Sequence, residues 1–189
     1  MIYIDDHIWD FDLTAALAAV SPQRRDYAMQ YVQELDRRLS VASYLLLKRA
    51  LSLEYGMDSV PPFVFEPKGK PRLEGFPDIH FNLSHCRDAA VCVLAQHPVG
   101  IDVESIDRYD ESLLHHMMNA DECRRIAASK QPAAEFIRLW TMKESLLKLT
   151  GQGLADENLL SVLNEAHRYR FDTMVTSKYV CTVCTSATD

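Results

Sequence analysis

The chain of 189 residues has no long hydrophobic run. Its most apolar early stretch, Leu13 to Val20, is short and built largely of weakly hydrophobic alanines, well under the ~18 apolar residues of a spanning helix. Basic residues are missing from the opening MIYIDDHIWDFD, where a secretory leader would carry them, so no leader is expected. They are in deficit overall: 20 Lys and Arg against 27 Asp and Glu leave a net charge of −7. That balance argues against a general nucleic-acid binder, whose footprint is basic. It leaves room for a phosphate ligand, which a few local Arg and Lys can hold. Cysteine lacks a framework. Of Cys86, Cys92, Cys123, Cys181 and Cys184 only the last two are closely spaced, and no second pair or nearby His completes a zinc site. Strand positions three apart face opposite sides, so reduced thiols in a cytoplasmic setting are the expectation.

What is present is an ordinary globular composition, 48% hydrophobic and 25% charged, enough for one large domain or two small lobes. Ser21-Pro22 opens a helix, Ser as cap and Pro in the first turn. Leu35, Leu39, Ala42, Leu46, Ala50 and Leu53 recur at helical steps and predict a helix over 34–55, stopped by Gly56. Phe63–Phe65 reads as a short β-run, and EPKGKPRLEGFPD as an exposed polar loop. Strands are expected at 80–83, 89–95 and 99–104, with a turn at 84–88. A polar helical stretch follows over 113–128, then an amphipathic helix over 133–150 ended by Gly151, and a closing hairpin over 169–172 and 178–185. Each half offers one long helix followed by β-structure. The pattern predicts an α+β fold of two similar lobes, 1–106 and 107–189, each a long helix on a small, mostly antiparallel sheet, with a ligand in the cleft between them.

Three segments carry candidate chemistry. In Gly100-Ile101-Asp102-Val103-Glu104, residues two apart share a strand face, so Asp102 and Glu104 point together. Two such carboxylates repel unless a cation or proton intervenes, and hard oxygen ligands suit Mg²⁺. A solvated acidic edge strand is the plainer alternative. In the helix that carries Trp140-Thr141-Met142-Lys143-Glu144, four-residue spacing aligns Trp140, Glu144 and Lys148, with Lys143 beside them. A half-buried salt-bridged face competes with a phosphate-facing one. Phe81-Asn82-Leu83-Ser84-His85 ends a strand. Adjacent strand residues diverge, so Ser84 and His85 make a poor nucleophile–base dyad and a better set of phosphate donors, unless His85 is merely structural. Arg24, Arg25, Arg37, Arg38 and Lys70 complete a basic inventory that suits phosphate oxygens, though each alone reads as a surface residue.

Together these segments resemble the 4′-phosphopantetheinyl transferase superfamily. GIDVE resembles its G-[IV]-D-[IV]-E signature, WTMKESLLK its W-x-x-K-E-x-x-x-K signature, and FNLSH its N-x-S-H strand end. GKP, SPQRR and RRLS resemble features of the two-lobed, surfactin-type subclass. The likeness runs from about Ser21 to Leu154. It implies a monomeric pseudo-dimer that moves phosphopantetheine from coenzyme A to a serine of an apo acyl or peptidyl carrier protein, releasing adenosine 3′,5′-bisphosphate. By the same resemblance Asp102, Glu104 and Glu144 hold Mg²⁺ (or Mn²⁺), and Lys148, Ser84 and His85 meet the coenzyme A phosphates. Lys70 serves the phosphates or the adenine end, Arg24, Arg38 and Ser40 lend support, and Glu122 falls near a further active-site acid of some relatives. Tyr27, standing where the family often has a base, and Cys86 after the His are departures. Glu144 and Lys148, with Asp102 and Glu104, are then the catalytic set, Glu144 also being available as the base. Met117, Met118, Arg124 and Arg125 are a candidate carrier-docking surface, or else an ordinary half-packed helix. A Mg²⁺-dependent phosphohydrolase of a nucleotide-like pyrophosphate and a non-catalytic carrier-binding module are the competing readings.

Overall fold

The computed structural model describes residues 1–151, 161–165 and 167–187; Leu154, where the family likeness ends, lies outside them. In chain order the elements are β1 (Ile2–Asp5), α1 (Leu13–Ala19), α2 (Pro22–Met29), α3 (Glu34–Tyr55), β2 (Phe63–Phe65), β3 (Pro71–Leu73), β4 (His80–Cys86), β5 (Ala89–Ala95), β6 (Gly100–Ser105), a 3-10 turn at Ile106–Arg108, α4 (Glu111–Met117), α5 (Ala120–Ala127), α6 (Pro132–Thr150), α7 (Val162–Glu165), β7 (Tyr169–Val175) and β8 (Tyr179–Ser186). Local chemistry sets the main boundaries. Ser21 Oγ accepts the Arg24 N–H at the start of α2, and α6 stops at Gly151 with φ +67°, a left-handed cap that only glycine adopts at little cost.

Two three-stranded antiparallel sheets form the centre, in the orders β1-β5-β4 and β6-β8-β7. In each, the strand that precedes the long helix lies beside the last strand of the hairpin that follows it. The side-chain alternation of strands then builds four layers. α3 packs Leu39, Leu47 and Leu51 on Phe81, Cys92 and Leu94 of the first sheet. α6 packs Leu146 and Leu149 on Cys184 of the second. The two remaining sheet faces meet through Val91 and Val93 on one side and Ile101, Val103, Cys181 and Val183 on the other. Because β6 is an edge strand, its outward donors need partners. Asn82 Oδ1 accepts the Ile101 N–H at 2.8 Å and Ser84 Oγ the Val103 N–H at 3.4 Å, so β4 side chains stand in for a missing strand.

Several expectations need correction. β4 continues through Cys86, because Ser84, His85 and Cys86 pair with Val91, Ala90 and Ala89, and only Arg87-Asp88 turns. Ser84 and His85 therefore sit on a strand and bring no turn N–H groups. The segment read as an exposed loop contains β3, paired with β2, and buries Leu73 under the first sheet. The stretch 113–128 is two helices rather than one, since Asn119 caps α5 and forms a capping box with Glu122. Strand β6 hydrogen-bonds to β8 of the second sheet. Cys181 and Cys184 do face opposite layers, and all five thiols are free.

Candidate active site

Alternation on β6 sends Ile101 and Val103 into the layer between the sheets and leaves Gly100, Asp102 and Glu104 on the face that α6 covers. Gly100 sets how close that helix comes. A Cβ there would stand 1.9 Å from the Ser145 carbonyl oxygen and 2.6 Å from the Leu149 nitrogen, so helix and strand backbones touch at this point. Lys148, on the turn of α6 that touches Gly100, consequently reaches across to the strand.

Asp102 is almost fully buried, and its Oδ1 accepts Lys148 Nζ at 2.7 Å and Ser84 Oγ at 2.8 Å. Lys148 Nζ also donates to Ser84 Oγ at 2.9 Å, closing a three-membered network from β6, α6 and β4. Its other oxygen, Asp102 Oδ2, is buried without a hydrogen-bond partner among the described residues. Glu104 pairs instead with Arg108, Nη1 to Oε1 at 2.5 Å, and the Arg108 guanidinium lies 5.4 Å from the centre of the Trp140 ring. Burial pushes the Glu104 carboxyl above its ordinary range, Asp102 adds to that push, and Arg108 opposes it. Glu144 lines an adjoining cleft of about 350 Å³ together with Lys68, Lys70, Asn82 and Lys148. His85 reaches solvent, yet its imidazole is held below its usual range, first by desolvation and then by Lys148 and Arg24.

The structure thus joins Asp102, Lys148 and Ser84 directly, sets Glu104 beside them and puts Glu144 on the cleft wall. Other expected residues have different employment. Lys70 Nζ donates to the Val99 and Leu149 carbonyls, at 3.2 and 2.9 Å, tying the loop before β3 to the end of α6 while still lining the cleft. Arg24 donates to the Ser40 carbonyl and lies against Tyr27 and Tyr44. Ser40 is buried, its Oγ unpartnered among the described residues. Arg38 bonds Glu34 and the Phe11 carbonyl, stapling the N-terminal segment to α3. Glu122 is wholly buried and paired with Lys143 at 2.7 Å, and Lys143 also donates to the Met117 carbonyl. Those contacts give Glu122 and Lys143 a structural role and turn Lys143 away from Lys148. Met118 is buried, and Arg124 and Arg125 pair with Asp121 and Glu135, so the candidate docking surface is not one exposed patch. Arg108, Asn82, Lys68 and the close approach at Gly100 were missed. Two of these had a visible signal: Gly100 stands before the two acids in GIDVE, and Asn82 is the first residue of the N-x-S-H strand end.

As the side chains stand, no three His, Cys, Asp or Glu among the described residues close around one point as a metal cage. The donor set nevertheless fits Mg²⁺, which commonly takes one or two carboxylates and completes its shell with waters and substrate phosphates. Asp102 offers an orphaned buried carboxylate oxygen, and Glu104 shares its strand face. The positions a cation would neutralise are held by Lys148 and Arg108.

Residues 98–184 match the family model of the 4′-phosphopantetheinyl transferase superfamily, a span that includes Asp102, Glu104, Glu144 and Lys148. The chain is 29% identical over 157 residues to a 4′-phosphopantetheinyl transferase of Bacillus subtilis, covering 82% of this chain and 70% of that protein. It is 34% identical over 142 residues to the 4′-phosphopantetheinyl transferase psf-1 of Bacillus pumilus, covering 72% and 60%. A third relative, the 4′-phosphopantetheinyl transferase AcpT of Salmonella typhimurium, is 33% identical over 127 residues, covering 65% and 63%. The matched segments thus span between 60% and 70% of these relatives' lengths.

Proposed function

The chain belongs to the 4′-phosphopantetheinyl transferase superfamily, and from that premise we propose that it transfers 4′-phosphopantetheine from coenzyme A to a serine of an apo acyl or peptidyl carrier protein. The observation that carries the reading is the Asp102–Lys148–Ser84 network beside Glu104, opening into a cleft walled by Glu144, Lys68 and Lys70. A cleft with several lysines above a buried acid pair suits a diphosphate ester better than a neutral ligand.

In the reaction the carrier serine oxygen attacks the phosphorus that bears the pantetheine arm. A new P–O bond forms, the pyrophosphate bridge breaks, and adenosine 3′,5′-bisphosphate leaves. Asp102 and Glu104, with Glu144, are the residues that would hold Mg²⁺ or Mn²⁺. When bound, such an ion supplies Lewis-acid polarisation of the phosphoryl group and neutralises charge on the departing phosphate. Lys148, fixed by Ser84 and Asp102, presents a positive charge where phosphate oxygens gain negative character. Lys70 and Lys68 flank the same anion. His85, kept neutral by its surroundings, serves as a hydrogen-bond donor and gains a proton more readily once a phosphate lies beside it. Glu144 on the cleft wall is placed to accept the serine proton, directly or through a water. Arg24, close enough to His85 to act on its charge, would lend a supporting contact to coenzyme A, with Ser40 and Arg38 behind it on α3.

The repeated strand order supports a pseudo-dimer of two lobes with the site between them; a chain that carries both lobes would need no second copy and would act as a monomer in the cytoplasm. The pairing of β6 with β8 supports a division between the lobes at the turn before β6. No helix among the described residues is long and apolar enough to cross a membrane. The deciding experiment incubates the protein with an apo carrier protein, coenzyme A and Mg²⁺ and reads the intact mass of the carrier. A phosphopantetheine increment that chelation abolishes is expected. An unmodified carrier with free phosphopantetheine would establish a phosphohydrolase instead, and no turnover with retained carrier binding a non-catalytic module.

A further inference from the structure

Arg108 lies outside every motif discussed above, yet it makes the closest contact at the acid pair. Its guanidinium reaches back four residues to Glu104, whose side chain is 13% exposed, while its own side chain is 56% exposed. On its other side the Trp140 ring forms a shelf. An arginine so placed is not tied to one partner. It can neutralise Glu104 directly, or it can lift away from the carboxylate while the ring and solvent keep it satisfied. Lys148 has no such freedom, since Ser84 and Asp102 both hold it and it is only 29% exposed.

We propose that Arg108 is a resident counter-ion for Glu104, holding that carboxylate in place while no divalent cation is present and yielding its position when one arrives. The inference rests on the metal reading given above and deepens it. It makes Arg108 a positioning residue, and it implies that a divalent cation alone competes with an internal positive charge. A cation delivered with its diphosphate brings negative charge that compensates the displaced guanidinium, so cation and coenzyme A should strengthen each other's binding.

Binding of Mn²⁺ alone, without coenzyme A or carrier, tests the idea through the electron paramagnetic resonance of the free ion. Arg108→Gln should bind Mn²⁺ about two- to five-fold more tightly than the unaltered protein, the scale of a released half-exposed ion pair. Asp102→Asn should lose most of that binding in either background. The chain has two tryptophans, Trp9 and Trp140, so Trp9→Phe isolates the emission of Trp140. Mn²⁺ should shift that emission as the guanidinium, released from Glu104, resettles against the ring, and much less so when Arg108→Gln is added. If Arg108→Gln binds Mn²⁺ no more tightly while Asp102→Asn still abolishes binding, the counter-ion role is wrong and the metal site stands. Equal Mn²⁺ binding by the unaltered protein and Asp102→Asn would remove both.

Discussion

Replacing Gly100 by alanine tests the geometry on which the site depends. The added methyl carbon would sit 1.9 Å from the Ser145 carbonyl oxygen, 2.6 Å from the Leu149 nitrogen and 3.0 Å from the Ser145 carbonyl carbon. All three are backbone atoms inside α6, so no side-chain rotation relieves the clash, and helix and strand must part by roughly 1 Å or more. Overpacking of this kind costs about 1–3 kcal/mol. At about 2–4 °C per kcal/mol for a chain of this size, the melting temperature should fall by several degrees. The functional loss should be larger. Glu144 and Lys148 immediately precede Ser145 and Leu149, so the shift opens the Lys148–Asp102 contact of 2.7 Å. A displacement of about 1 Å in a catalytic group can cost about 100-fold in rate. Transfer to an apo carrier at saturating coenzyme A, followed by intact mass, measures kcat, and circular dichroism measures the melt. A variant with unaltered kcat and melting temperature would refute the claim that Gly100 governs the approach of α6.

Asp102→Ala should lower Mg²⁺-dependent transfer by at least about 100-fold, because it removes the partner of Lys148 and the orphaned oxygen together, while far-ultraviolet circular dichroism stays native. Lys143→Met strands the buried Glu122 and should cost about 3–5 kcal/mol, whereas Lys143→Met combined with Glu122→Leu should recover most of it; denaturant titration of both variants decides. For His85 the folded protein lowers the pKa, so the unfolded chain binds more protons just below the ordinary histidine range. Stability should therefore fall as pH drops from about 6.5 towards the lower folded value, and His85→Gln should flatten that slope in melts taken across the interval. Adding adenosine 3′,5′-bisphosphate should raise the His85 pKa in an NMR titration; an unmoved resonance would take His85 out of phosphate contact.

The long helices were legible because each presents an apolar stripe against a sheet and ends at a glycine, and β5 and β6 because their inward residues are strongly apolar. β1 escaped notice for a physical reason. Its outward residues Ile2 and Ile4 are themselves apolar and exposed, which hides the alternation that marks a half-buried strand. β3 is three residues inside a turn-rich segment, and only its partner β2 reveals it. In the site, Asp102, Glu104, Glu144 and Lys148 could be picked out because period two on a strand and near-period four on a helix place them on facing surfaces. The employment of Glu122, Lys143 and Lys70 could not. Their partners lie 21, 21 and 79 residues away along the chain, and such pairings follow from tertiary packing rather than any local pattern.

The contacts that join the two sheets are also the contacts that build the site. Asn82 and Ser84 leave the first sheet to satisfy the open edge of β6 in the second, and the same Ser84 hydroxyl donates to Asp102 and accepts from Lys148. Neither half of the chain holds the network by itself: the acids come from β6, the lysine from α6 and the hydroxyl from β4. A buried carboxylate such as Asp102 is tolerable only where fixed donors surround it, and those donors exist only when both halves are docked. The division of labour follows. The chain before β6 supplies neutral donors and the cleft lysines, and β6 with α6 supplies the acids and the cation that balances them. The chemistry is therefore assembled where β4 of the first sheet meets β6 of the second, not by either sheet alone.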